Sequence, residues 1–285
     1  MIVYEAPGKL NLSLLVSPPG ADGYHPLESL VQTVEWCDRL TVARSEEGVD
    51  SLDSDIEDNL VEKTLAEMRK SFTVPPLAME LEKSLPVAAG VGGGSSDAAA
   101  ALLAAADASG TPRSELPAVA HRIGADVALF LTGGTLMMSG VGYEIEPVAP
   151  SNDFAVAIVV PEFGMETKDV YTRWDRLEGP VGPAVADDRL PPSLRGGMPM
   201  RNDLLPAALD LQPRLGDFMA DVGSVWGTAV CLTGSGSACF GYFATADEAA
   251  DAATAVDEFT RQGRGVALRD HGVVRLEDPW DENAR

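Results

Sequence analysis

Apolar residues alternate or run together at strand length over residues 10–16 and again over 27–35, and the intervening SPPGADGYHP carries the proline and glycine residues that stop a strand. The pattern predicts a strand, a loop and a second strand. Leu60, Val61, Leu65 and Met68 then recur at close to helical spacing behind a run of acids suited to a helix start, so a helix is expected from Asn59 to Phe72. Leu77 to Leu81 alternates as a strand. The segment AAAALLAAADASG is small and apolar nearly all round and ends at Gly110, the pattern of a buried helix closed by glycine. A helix over Ser114–Arg122, with Pro117 in its first turn, and a hairpin over 133–148 complete the first half.

The break APSND precedes the apolar run AVAIVV at 155–160, which starts a new strand and places a domain boundary near residue 150, between units 1–150 and 151–285. The Pro/Gly-rich stretch 179–199 reads as a surface loop. Helices are expected near 203–222 and 246–258 and strands near 229–232, 237–243 and 264–275, so the second half reads as an α+β sandwich. No internal repeat and no heptad pattern is present.

Composition narrows the function classes. With 285 residues, 45% of them hydrophobic, the chain can build real cores. Its net charge of −23 repels a phosphate polymer or an anionic bilayer, so neither nucleic acid nor membrane is an expected partner. The same field opposes an anionic nucleotide, so a phosphate site here has to work through local amides, a few cations and Mg²⁺. Cys37, Cys231 and Cys239 have no CxxC or Cys/His ligand spacing, which fits free thiols in a reducing compartment and no zinc site. The N-terminus lacks the features of a secretory signal and no stretch reaches about 18 uninterrupted apolar residues. A soluble, cytoplasmic protein is expected.

The strongest chemical signal is Gly90-Val91-Gly92-Gly93-Gly94-Ser95-Ser96-Asp97 between a strand and a buried helix. Glycines let backbone amides turn toward a ligand, and the helix start adds unpaired N–H groups and partial positive charge, together an anion site. A tight turn or a linker is the bland alternative, though a linker fits poorly against a buried helix. No Lys precedes the Ser/Thr as a Walker loop requires, and the spacing and acidic partner of a dinucleotide fold are missing.

Pro86 followed by this glycine run and Ser95-Ser96 resembles the second motif of the galacto-, homoserine, mevalonate and phosphomevalonate kinases. Ala6-Pro7-Gly8-Lys9-Leu10-Asn11-Leu12 resembles their first motif and Leu232-Thr233-Gly234-Ser235-Gly236-Ser237-Ala238 their third, in the family's order and over nearly the whole chain. Ala21-Asp22-Gly23-Tyr24-His25, Glu57-Asp58-Asn59-Leu60 and Gly124-Ala125-Asp126-Val127 are similar to segments of the branch that acts on a cytidine diphosphate methylerythritol. Gly8 stands where Ala is more usual, and Val91 where Leu or Met is.

The resemblance implies a two-domain α+β kinase fold, with a left-handed βαβ unit in the N-terminal domain, a ferredoxin-like C-terminal domain and the cleft between them. Sequence physics alone favours a right-handed crossover. It also implies transfer of the terminal phosphate of ATP to the 2-hydroxyl of a small-molecule acceptor, with Mg²⁺, by a monomer or homodimer. Lys9 is by composition a strand-edge lysine that snorkels; by resemblance it is catalytic, stabilising charge on the attacking oxygen or the phosphoryl group, with Asp126 as the base. Asp126 could otherwise cap the next element.

Gly90, Gly92, Gly93, Gly94, Ser95 and Ser96 would hold ATP phosphates, with Ser96 as a metal ligand, and Asn59 and Leu60 would lie near the adenine unless Asn59 only caps a helix. Asn11, Tyr24, His25, Thr167, Tyr171, Gly234 and Ser235 would hold the acceptor. Tyr24 and His25 occupy a Gly-rich loop, an odd place for core aromatics, so Tyr24 and Tyr171 would sandwich the pyrimidine and the imidazole would meet its edge. Gly234 to Ser237 could also be a plain hairpin turn. His121 and His271 read as ordinary surface or packing residues. The rivals are another kinase of the superfamily and a ligand-sensing relative without turnover, which the presence of both Lys9 and Asp126 disfavours.

Overall fold

The computed structural model describes residues 1–21, 23–56, 59–150 and 152–276. Asp22, Glu57, Asp58 and Ser151, which belong to segments singled out above, lie outside the described residues.

Two long strands set the frame: β1 (Ile2–Val16) and β2 (Leu27–Arg44) pair antiparallel, with register shifts at Pro7/Gly8 and Asn11/Ser13. The C-terminal half of β2 pairs with β4 (Leu77–Glu82), and its N-terminal half pairs with β5 (Thr135–Ser139), which in turn pairs with β6 (Glu144–Pro147) as the expected hairpin. The short β3 (Ser51–Asp53) runs parallel to β4 and reaches it through α1 (Leu60–Arg69), a βαβ crossover.

Against this sheet packs α2 (Gly93–Ser109), whose residues Ala98 to Leu102 are completely buried; small side chains let its backbone approach β1, α1 and α4 (Val127–Thr132) closely. It ends at Gly110, at φ +73°, as the sequence predicts. The helix expected over 114–122 is a single 3₁₀ turn followed by α3 (Leu116–Ile123) with Pro117 in its first turn. The sequence pattern did not reveal α4, because six apolar-rich residues show no period that separates helix from strand.

In the second sheet, β7 (Ala155–Val160) is buried at all six positions, with Val156, Ile158 and Val160 facing a different core from Ala155 and Ala157. The antiparallel order is β10–β7–β9–β8, where β8 is Cys231–Leu232, β9 Cys239–Phe243 and β10 Gln262–Val266. With α5 (Thr167–Arg176), α6 (Leu205–Leu211), α7 (Arg214–Trp226) and α8 (Ala246–Thr254) between the strands, this is ferredoxin-like connectivity. Leu10, Leu12, Val34 and Trp36 of the first sheet share a core with Val156, Ile158 and Phe240 of the second.

Two expectations need correction. The strand expected over 264–275 is two strands in different sheets: after β10 the chain crosses back, and β11 (Val274–Leu276) pairs with β1. The crossing is held by buried Arg269, which contacts Glu5 and Glu35, and by Gly272, whose N–H donates to the Thr132 carbonyl at 3.0 Å. Stretch 179–199 is a loop with two 3₁₀ turns, yet Leu190 and Leu194 anchor it in the core. Among the described residues no helix is long and apolar enough to cross a membrane.

Candidate active site

Strand periodicity puts Lys9 and Asn11 on the same side of β1, away from fully buried Leu10. Lys9 is 6% exposed, so its ammonium does not snorkel to solvent. Its Nζ donates to Asn11 Oδ1 at 2.7 Å and lies 3.6 Å from Asp126 Oδ2. Asn11 is fixed in turn: its Nδ2 donates to Ser29 Oγ at 2.7 Å, and its backbone N–H donates to Thr233 Oγ1 at 2.9 Å. Asp126 precedes α4 but makes no side-chain capping bond, so its carboxylate is turned to Lys9 instead of to the helix.

These groups open onto a cavity of about 510 Å³ that is also lined by Tyr24, His25, Gly90, Gly92, Thr167, Tyr171, Gly234 and Ser235. All the sequence-nominated catalytic and acceptor residues therefore meet in one place. Thr167 Oγ1 and Ser235 Oγ lie 2.8 Å apart, joining α5 to the third glycine segment. Tyr24 is 66% exposed. Tyr171 is half-buried, and that burial, reinforced by the nearby Asp126 charge, pushes its phenol up to about 12. His25 packs 5.2 Å from Tyr171 and edge-on at 5.4 Å to Trp174, and its two ring nitrogens face the Ser17 carbonyl and the Asp175 carboxylate.

The glycine loop adjoins this cavity. Lys9 N–H donates to the Val91 carbonyl at 2.9 Å, and Ala238 N–H donates to Ala89 O at 3.0 Å, so all three glycine-bearing segments converge. Gly90 and Gly92 have φ of +83° and +75°, and a Cβ on Gly90 would stand 2.7 Å from the Thr233 carbonyl, so neither position suits another residue. Beyond the loop lies a second cavity of about 310 Å³, lined by Asn59, Leu60, Lys83, Gly93, Gly94, Ser95 and Asp97 among others. Asn59 also caps α1, its Oδ1 accepting Val61 N–H at 2.9 Å, so the capping alternative is realised at the cavity wall. Ser96 is completely buried inside the start of α2; its Oγ has no hydrogen-bond partner among the described residues.

Sequence reasoning missed the ionic cluster beneath the loop. Lys83 Nζ bridges Asp38 and Asp97, the latter at 2.6 Å, and Asp38 Oδ1 also accepts the Ser84 and Leu85 N–H groups at 2.6 and 2.7 Å. Burial pushes the Asp97 carboxyl up to about 7, with Lys83 opposing it. Burial also works against the Lys83 charge, but the two carboxylates outweigh it and raise its pKa. Asn202 was missed as well; its Nδ2 holds the Leu232 and Gly234 carbonyls at 2.9 and 2.8 Å. The only sequence signal was that Asp97 closes the glycine motif, since a partner 59 positions earlier (Asp38) leaves no local pattern.

Residues 59–134 match the family described as the GHMP kinases N terminal domain. The chain is 35% identical over 259 residues to a 4-diphosphocytidyl-2-C-methyl-D-erythritol kinase of Chelativorans sp. (strain BNC1), covering 87% of this chain and 88% of that protein. It is 34% identical to the protein of the same name from Rhizobium johnstonii, covering 90% and 89%. A crystal structure of 4-(cytidine 5'-diphospho)-2C-methyl-D-erythritol kinase superposes with a TM-score of 0.79 at 32% identity, covering 93% of this chain and 98% of that one. Homoserine kinase from Cytophaga hutchinsonii, at 15% identity and a TM-score of 0.66, shares the fold, covering 96% and 97%. With a shared fold, three converging motifs and this level of identity along almost its full length, the chain belongs to the 4-diphosphocytidyl-2-C-methyl-D-erythritol kinase family of the GHMP kinases.

Proposed function

We propose that the protein transfers the terminal phosphate of ATP to the 2-hydroxyl of 4-diphosphocytidyl-2-C-methyl-D-erythritol, a step in non-mevalonate isoprenoid precursor biosynthesis. The observation that carries the mechanism is the Lys9 ammonium 3.6 Å from the Asp126 carboxylate, on the floor of a cavity that reaches the glycine loop. Asp126 takes the proton of the acceptor hydroxyl as its oxygen attacks the γ-phosphorus in line; the bond to the bridging oxygen breaks and ADP leaves with the electron pair. Lys9 sets its charge against the negative charge that builds on the oxygen and phosphoryl group, and Asn11 holds that ammonium in place. No covalent enzyme intermediate is required.

Gly90 and Gly92 to Ser95 cradle the phosphates through the amides at the start of α2, and Asn59 and Leu60 border the adenine. Ser96, whose buried hydroxyl has no partner among the described residues, would be the residue to hold Mg²⁺, which would neutralise charge on the transferring phosphoryl group. Tyr24 and Tyr171 take the cytosine between them, while His25, Thr167, Gly234 and Ser235 shape that end of the cavity.

In this reading residues 1–150 form the ATP-binding unit, with β11 returning to complete its sheet, and the rest of 151–285 the C-terminal unit of a cytoplasmic enzyme that works as a monomer or homodimer, without nucleic-acid or membrane partners. The test is a panel of acceptor alcohols with ATP and Mg²⁺. ADP release is expected with the cytidine acceptor and not with homoserine or mevalonate. The opposite pattern would move the protein to another branch, and nucleotide binding without any turnover would make it a sensor.

A further inference from the structure

One face of α5 carries Thr167, Tyr171 and Asp175 at successive i, i+4 positions. Thr167 reaches Ser235 and Tyr171 lines the acceptor cavity, and the third member of the row follows one turn on, outside the cavity lining. What Asp175 meets is His25: its Oδ2 lies 3.4 Å from Nε2, while Nδ1 lies 3.1 Å from the Ser17 carbonyl. Trp174, 2% exposed and tied by its indole N–H to Pro180 O at 3.0 Å, backs the ring edge-on.

A carbonyl and a carboxylate both only accept hydrogen bonds. Nδ1 therefore donates to the Ser17 carbonyl, while Nε2 faces the Asp175 carboxylate at contact distance. A ring bonded to Ser17 on one edge and set against Asp175 on the other is a strap from the C-terminal end of α5 to the chain after β1, and Tyr24 is the residue next to it. The strap restrains the imidazole, since its Nδ1 is bonded to Ser17 and its Nε2 edge is turned to Asp175.

We infer that Asp175 is a positioning residue for acceptor recognition: through His25 it fixes the loop that carries Tyr24 against α5, which carries Tyr171, so that the slot for the base exists before the base arrives. This rests on the proposed reading of Tyr24 and Tyr171 as the pyrimidine slot. A preformed slot spares the acceptor the cost of ordering the loop, so the gain appears in binding and not in the chemical step. His25 then serves specificity by geometry, and the pyrimidine edge is left to other groups of the loop.

The test uses the full-length protein, with the cytidine acceptor as substrate and cytidine 5'-monophosphate as a competitor that keeps the base but lacks the methylerythritol. Asp175→Ala is expected to raise the acceptor KM and the inhibition constant of the monophosphate by the same factor, about tenfold, with kcat and the KM for ATP unchanged. Asp175→Glu should recover most of that loss. Because Asp175 acts through His25, adding Asp175→Ala to His25→Ala should change neither constant further. Unchanged constants in Asp175→Ala, or additive losses in the double variant, would overturn the inference. A wild-type protein that neither uses the acceptor nor is inhibited by the monophosphate would instead overturn the proposed function, so the two failures are distinguishable.

Discussion

Asp126 and Lys9 approach each other but are asked to do different work. Asp126→Asn keeps the shape of the side chain and removes its ability to take a proton, so kcat is expected to fall by roughly 10²–10⁴, with ATP affinity within a few-fold in equilibrium binding. Lys9→Met should also lower kcat more than nucleotide affinity, because the ammonium acts on charge that is present only at transfer. A rise in acceptor KM alone would make Lys9 a binding residue. None of the three thiols lines the catalytic cavity, and their environments keep them protonated. Burial pushes Cys37 up to about 11, with Arg269 partly opposing, and Cys231 up to about 12; Cys239 is raised further still. At pH 8 the thiolate fraction of Cys37 is then roughly one in a thousand. Iodoacetamide should label the native protein slowly and the denatured protein three times, read by intact mass, and rapid native labelling of Cys37 would contradict the burial that raises it.

At the scale of elements, two glycines with the same backbone test the phosphate cradle. Gly92 begins α2 at φ +75°, and a Cβ there would stand 2.8 Å from the Phe130 ring and 3.0 Å from Lys9 Cγ. Gly110 ends α2 at φ +73° with nothing within 4 Å. Ala at either position carries the strain of a left-handed residue, on the order of 1 kcal/mol. Gly110→Ala should therefore lower Tm by a few degrees and leave kcat/KM intact. Gly92→Ala should lower Tm further, because its Cβ also meets the Phe130 ring, and displace the Lys9 stem, losing most of kcat. Equal kinetics in the two variants would separate the loop from the chemistry. The elements themselves were largely legible: β4, β7 and the capped end of α2 follow from period and glycine. What could not be read was α4, too short for a period, and the true length of β1, whose apolar positions are interrupted by Pro7, Gly8 and Lys9 at register shifts.

For the whole molecule, the question is whether residues 1–150 stand alone. β11 completes the edge of the first sheet through Val3–Leu276 and Glu5–Val274, and Arg269, 3% exposed, sits between Glu5 and Glu35. Leu10, Leu12, Val34 and Trp36 are covered by the second sheet. A fragment ending at residue 150 loses all of this, leaving an apolar face and an open strand edge. It is expected to be insoluble or to melt without a cooperative transition by circular dichroism, whereas the full chain should unfold in one. A soluble fragment with a sharp melt would show that the two sheets are independent domains.

The sequence by itself determined the family, the α+β class and the polar and glycine residues that line most of the cavity, because local motifs carry their chemistry in short spacings: Lys9 with Asn11, and the glycine run. Only the tertiary structure decided three further matters. It brought Asp126 to Lys9 across 117 positions and turned it from helix cap to partner. It built the Asp38–Lys83–Asp97 cluster under the phosphate loop, and it set the His25 ring between Ser17, Asp175 and the aromatics of α5. These are contacts between segments distant in the chain, and side-chain periodicity reports which face a residue occupies, not what folds against it.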